Sequence, residues 1–128
     1  VGSVSSDELP AYFGACDVFV LCSIYEGIPT VLVEAASAGK PVVSTRTRNV
    51  DDVVIHGQTG LLVPIGDSAG LSEALGQILS DPVQAARMGQ AGRELVQERF
   101  SPGKVLADLA AMWEVTASSR CHVGAGKE

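Results

Sequence analysis

Three apolar runs of strand length punctuate the first half of the chain: DVFVLC at 17–22, PVVST at 41–45 and TGLLVP at 59–64. The first does not alternate between apolar and polar residues, which predicts a strand in a sheet covered on both faces. PVVST reads as the next buried strand, and TGLLVP as a third, with Thr59–Gly60 as its turn. Between them lie stretches of helical period. Residues 7–15 place Leu9, Tyr12 and Phe13 on one face, with Ser6 or Asp7 as the cap. Residues 29–38 start at Pro29, stop at Gly39 and Pro41, and put the small face Val31, Ala35 and Ala38 toward the sheet. Asn49 caps a short helix through VDDVVI, with Asp52 at the acidic position of a capping box. After Asp67 the chain turns helical: Leu71, Leu75, Ile78 and Leu79 form one stripe, and Asp81–Pro82 opens a second helix carrying Ala85, Met88, Leu95 and Val96. Ser101–Pro102 starts a last helix with Val105, Leu106, Leu109, Met112 and Trp113 on its apolar side. Residues 1–4, VGSV, read as the end of a strand, and 117–128 have no periodicity and read as a mobile tail. Strand, helix, strand with short connections is a βαβ unit. The expected fold is therefore α/β, a Rossmann-like parallel sheet flanked by helices, with its ligand at the carboxyl ends of the strands.

Composition narrows the choice of partner. With 128 residues, 46% of them hydrophobic, and 14 glycines, the chain makes one domain or part of one. A net charge of −6 and a pI near 4.8 argue against nucleic acid or an anionic membrane as its partner. No apolar run approaches the roughly 18 residues that span a bilayer, and the chain opens with no basic leader. Cys16, Cys22 and Cys121 cannot all pair and lack paired CxxC spacing, which points to reduced thiols and a cytoplasmic setting. His56 and His122 have no partners at metal-site spacing, so no metal is expected.

The chemistry concentrates in SIYEGIPTVLVEAASAGKPVVST, residues 23–45. Glu26 lies in a glycine-proline turn between strand and helix, and Glu34 lies on the helix that follows. Pro29 suits the first helical position because it lacks the amide proton that would go unpaired there, leaving the amides of Thr30, Val31 and Leu32 as donors. Those donors and the positive end of the helix dipole make an anion site. Glu34, four residues after Thr30, shares its helical face about 6 Å further along. A phosphate at the helix tip and a hydroxyl pair beside Glu34 would be spaced like the diphosphate and ribose of a nucleotide. Set against this is the plainer reading, in which a turn glutamate and a helix glutamate are both simply solvated.

Glutamate, seven residues, glutamate in this setting resembles the donor-site motif of retaining glycosyltransferases of family 4, which have the two-domain GT-B fold. ELPAYFGACDVFVL upstream, and HGQTGLLVPIGD and DPVQAARMGQAGRELVQERFS downstream, extend the resemblance over nearly all of residues 5–103. The resemblance implies that Glu26 lies against the donor sugar and is catalytic, and that Glu34 binds the ribose hydroxyls. By the same token the Thr30 and Val31 amides hold the diphosphate, and Gly27, Ile28 and Pro29 complete the donor loop. It implies no cofactor and no metal beyond the nucleoside-diphosphate-sugar itself, and a full-length enzyme able to sit at the periphery of a membrane. Two departures matter. Relatives usually carry two glycines where this chain has Arg48 and Asn49, so either the loop is wider or Arg46 and Arg48 face the cleft and meet a phosphate or charged acceptor; solvated arginines are the alternative. There is also no glycine-rich first turn, nor the Arg/Lys pair that the family uses to neutralise the donor's phosphates. The expectation is the later two-thirds of a C-terminal domain: 1–103 nucleotide-sugar-binding, 104–116 a C-terminal helix, 117–128 a tail, with the N-terminal acceptor domain missing. Transfer of a sugar to an acceptor hydroxyl with retention is the leading reading, although this piece alone would be inactive. A non-catalytic nucleotide-sugar or phosphate-binding module is the alternative, and a GT-B-like sugar-nucleotide epimerase fits the fold but not the EGIPTVLVE spacing.

Overall fold

In the computed structural model, residues 2–25, 27 and 29–104 are described. The chain divides into two units, residues 1–97 and 98–128. The first holds a three-stranded, wholly parallel sheet in the order β1 (Phe19–Leu21), β2 (Val42–Thr45), β3 (Gly60–Val63). Around it are α1 (Leu9–Ala15), α2 (Thr30–Ser37), α3 (Ser68–Ser80) and α4 (Pro82–Phe100). In the second unit, Ser101 Oγ accepts from the Lys104 amide at 3.4 Å and a helical turn begins at residue 102. Val105, Leu106, Leu109, Met112 and Trp113, and the expected tail, lie outside the described residues.

The central strand is the best-buried element. Every residue of β2 and β3 is buried, and Val43, Leu61 and Val63 on one pleat phase pack with Ala74 and Ile78 of α3 and Met88 of α4. Val42 and Leu62 have the opposite phase, and α2 packs on β2 with Leu32, Ala35 and Ala36 buried. Burying side chains the size of Leu32 or Ile78 contributes about 1.5–3 kcal/mol each. Gly60 opens β3 so close to β2 that a Cβ would strike the Val42 carbonyl oxygen and sit 3.0 Å from Val54 Cγ1, so no larger residue fits there.

Several expectations need correction. The first strand is three residues long and only half-buried, whereas β3, the other edge of the described sheet, is fully buried with α3 packed on it. On α2 the buried stripe is Leu32, Ala35 and Ala36, while Val31 is half-buried and Ala38 exposed. One residue of phase separates these faces, and the larger Leu32 side chain takes the core position. Leu79 is 57% exposed, its place toward the core taken by Ala74 and Ile78. Helix α1 starts at Leu9 with neither Ser6 nor Asp7 capping it. Instead the Glu8 carboxylate accepts from the Ser5 hydroxyl at 2.9 Å and the Ser5 amide at 3.2 Å, which holds its carboxyl below the ordinary glutamate range. Asp67 and Asp81 cap α3 and α4, accepting from the Gly70 and Gln84 amides at 2.8 and 3.0 Å.

Candidate functional site

The carboxyl ends of three parallel strands gather residues 22–25, 27 and 29–30, the turn after β2 and the end of β3 at one end of the sheet, where such sheets bind ligands. Helix α2 enters there. Pro29 is buried and stands one position earlier than expected, as the N-cap rather than the first helical residue. Its carbonyl takes the Leu32 amide at 2.9 Å, with the Val33 amide further off at 3.4 Å. Leu32 is therefore not a free donor. The amides of Thr30 and Val31 have no acceptor among the described residues, as an anion-binding helix tip requires. At the other end, Gly39 (φ +72°) takes the left-handed turn that closes α2, its amide bonding the Ala36 carbonyl and that of Lys40 bonding Ala35.

Glu34 is exposed, one turn beyond the two free amides, and lines a groove of about 400 Å³ with Leu9 and Phe13 of α1 and Val33 and Ser37 of its own helix. Gly27 is exposed, and Glu26 and Ile28 lie outside the described residues. A comparable concavity of about 420 Å³, lined by Asp17, Lys40, Pro41, Leu79 and Pro82, sits at the amino ends of the strands. No helix N-terminus of the βαβ unit points there, so the carboxyl end is the better candidate.

The segment after β1 is gripped by β2 and the turn that follows it. Thr45 Oγ1 donates to the Ser23 carbonyl at 2.6 Å and accepts from the Ser23 amide at 2.9 Å, while Ser44 Oγ donates to the Leu21 carbonyl at 3.1 Å. Further out, Asn49 Nδ2 donates to the Gly27 carbonyl at 3.3 Å. These contacts were not foreseen; the only trace in the sequence is the polar Ser44–Thr45 pair ending an otherwise apolar strand.

The turn itself differs from expectation. Val50–Asp52 is a single 3-10 turn, and Asn49 does not cap it through its side chain. Asn49 stands at φ +70°, a left-handed conformation that glycine takes without strain and asparagine tolerates. That is how Asn49 can occupy a position where the resemblance leads one to expect glycine. Arg46 Nη1 pairs with Asp51 Oδ1 at 2.8 Å, both side chains more than half exposed, and Arg48 is exposed with no partner among the described residues. An ion pair so exposed contributes under about 1 kcal/mol.

Beside β3, His56 Nδ1 accepts the amide of Leu62 on that strand at 2.9 Å, giving the imidazole a structural task at the sheet edge. Cys16 follows α1 with its thiol donating to the Phe13 carbonyl at 3.4 Å, and Cys22 is exposed after β1; both are free thiols. Among the described residues no group of three His, Cys, Asp or Glu side chains could hold a metal ion, and no helix is long and apolar enough to cross a membrane.

Comparison with known proteins agrees with this geometry. Residues 1–95 match the family model described as glycosyl transferases group 1. The chain is 38% identical over 123 residues to a glycogen synthase of Mycobacterium tuberculosis, covering 96% of this chain and 27% of that protein. Among solved structures, sucrose-phosphate synthase from Thermosynechococcus elongatus superimposes with a TM-score of 0.85 at 33% identity, over 93% of this chain and 30% of that one. HepE from Anabaena, solved in complex with UDP-glucose, gives a TM-score of 0.78 at 26% identity, over 84% of this chain and 30% of that one. The chain thus spans less than a third of the length of each of these relatives.

Proposed function

Because the chain belongs to the glycosyl transferases group 1 family, we propose that it is part of the nucleotide-sugar-binding domain of a retaining glycosyltransferase of GT-B architecture. The whole protein would move a sugar from a nucleoside-diphosphate-sugar to an acceptor hydroxyl, with the acceptor held by a further domain. The observation that carries this reading is the pair of free amides at Thr30 and Val31 on the carboxyl side of a parallel sheet, with the exposed Glu34 one turn along the same helix. In the transfer, the bond from the sugar's anomeric carbon to the diphosphate oxygen breaks and the diphosphate leaves with the electron pair. The acceptor oxygen then bonds that carbon on the same face and passes its proton to the departing diphosphate oxygen. Negative charge grows on the leaving diphosphate, where fixed backbone dipoles need no reorganisation to stabilise it. Positive charge grows on the sugar, and Glu26 is assigned to stabilise it. Glu34 is assigned the ribose hydroxyls. Pro29 and Gly27 shape the loop that carries the phosphates and sugar past the helix tip. Such an arrangement places no demand on a metal ion, since dipoles and carboxylates supply the charge. HepE's complex with UDP-glucose supports a nucleoside-diphosphate-sugar donor, and UDP is the first probe to use. A cytoplasmic location fits the free thiols at Cys16 and Cys22.

Two substitutions in the complete enzyme test the assignment. Removing the charge-assisted bonds from Glu34 with Glu34→Ala is expected to cost about 1.5–3 kcal/mol of nucleotide binding, for free UDP and sugar donor alike. Glu26→Ala is expected to leave UDP binding nearly intact while turnover falls roughly a hundredfold or more. Calorimetry with UDP and steady-state rates read the two effects separately. Loss of nucleotide binding in Glu26→Ala, or its full retention in Glu34→Ala, would mean the donor does not lie along α2 in this direction.

A further inference from the structure

We propose that Asn49 is a positioning residue that tethers the loop carrying Gly27 and so orders the donor site before any ligand arrives. This proposal rests on the donor-site reading of that loop. From Ser23 to Gly27 the chain leaves the sheet, and Ile24 and Tyr25 are each 83% exposed, so apolar packing does not hold this stretch. Among the described residues, Thr45 and Asn49 hold it by polar contacts instead. Thr45, buried at the end of β2, makes the reciprocal pair of bonds to Ser23 at the base. Asn49 supplies the outer point through Nδ2 to the Gly27 carbonyl.

The outer contact is useful only if Asn49 is itself fixed. Its neighbours Val50 (0% exposed) and Thr47 (8%) are buried, and the Arg46–Asp51 pair closes across the turn between them. The amide therefore projects from a rigid turn. A left-handed backbone at Asn49 is available to glycine as well, but glycine has no side chain to reach the loop. Position 49 thus separates two properties that are usually mixed: backbone shape, which Asn and Gly share, and the tether, which only Asn provides. Gly27 directly follows Glu26 in the sequence and lies two residues before Pro29, so fixing its carbonyl restrains the turn through which the chain enters α2.

Asn49→Gly in the complete enzyme is the test, because it keeps the backbone conformation and deletes one hydrogen bond. Two readouts are needed: backbone amide order parameters by NMR relaxation without ligand, and the dissociation constant of UDP from chemical-shift titration. The expected result is that the Gly27 amide falls from the rigid range near 0.85 toward the flexible range below about 0.6, with Ser23 and Thr45 unchanged. UDP affinity is expected to fall about fivefold, the effect of one ordinary hydrogen bond. An unchanged order parameter at Gly27 overturns the tether whatever UDP does. A loosened Gly27 with unaltered UDP affinity overturns its role in ordering the donor site. A loosened Gly27 in a chain that binds no UDP, before or after substitution, upholds the tether and instead defeats the donor-site reading on which its purpose rests.

Discussion

Three helical glycines offer the sharpest test of how α4 is seated, because the same substitution should have opposite signs at different positions. At Gly89 an added Cβ would collide with the Gly39 carbonyl oxygen and lie 2.8 Å from the Gly39 carbonyl carbon. At Gly92, three residues along α4, a Cβ would find Ala36 Cβ and Thr59 Cβ at 3.7 Å, an ordinary contact. At Gly76 on α3 it would meet open space. Replacing glycine by alanine inside a helix stabilises by about 0.5–1 kcal/mol when nothing is in the way. Gly76→Ala and Gly92→Ala should show that gain. At Gly89 the obstacle is backbone in a left-handed turn, which has no rotamer to change, so the overpacking penalty falls near the upper end of its usual range, about 3 kcal/mol. After the helical gain is subtracted, Gly89→Ala should destabilise by ~2 kcal/mol. For a unit of this size that lowers Tm by roughly 8–16 °C, while the other two variants raise it by a few degrees. Thermal unfolding followed by far-ultraviolet circular dichroism, with urea titration as a second measure, reads all three. If Gly89→Ala is as stabilising as Gly76→Ala, then α4 does not pass over the C-terminus of α2 at this distance.

Two further expectations concern charge. Arg48, exposed and without a partner among the described residues, should contribute to binding of an anionic donor or acceptor: Arg48→Gly in the complete enzyme weakens that binding at low salt by an amount that shrinks as salt is added, and an unchanged affinity at low salt returns the residue to plain solvation. The Ser5–Glu8 clasp should titrate below the ordinary glutamate range. Its stabilising contribution is thus present above the unfolded pKa and lost as pH falls through the lowered folded value; Ser5→Ala should move the Glu8 midpoint back up in an NMR titration, and an unmoved midpoint would dismiss the clasp as its cause.

Much of this protein can be read along the chain because the relevant signals are local. Apolar runs of strand length at 41–45 and 59–64, glycine and proline stops, and the Asp81–Pro82 helix start each act within a few residues, and the elements they specify stand where the pattern put them. Parallel pairing followed as well, since a helix between two short apolar strands leaves few other topologies. The free amides at the start of α2 were legible for the same reason, since unpaired donors are a property of any helix start, here Thr30 and Val31. Tertiary structure decided what depends on neighbours remote in sequence. Which phase of α2 meets the sheet was set by the fit of Leu32, Ala35 and Ala36 against β2, a choice that one residue of rotation reverses and that periodicity alone cannot make. β1 and β3 are both apolar and both edges of the described sheet, yet only β3 is fully buried, with α3 packed on it. Asn49 reads locally as a helix cap, yet its amide goes to Gly27, twenty-two residues earlier, and Thr45 reaches Ser23 across the same separation. A side chain with several possible hydrogen-bond partners takes the one that folding brings within reach, and only the assembled sheet brings those two loops together.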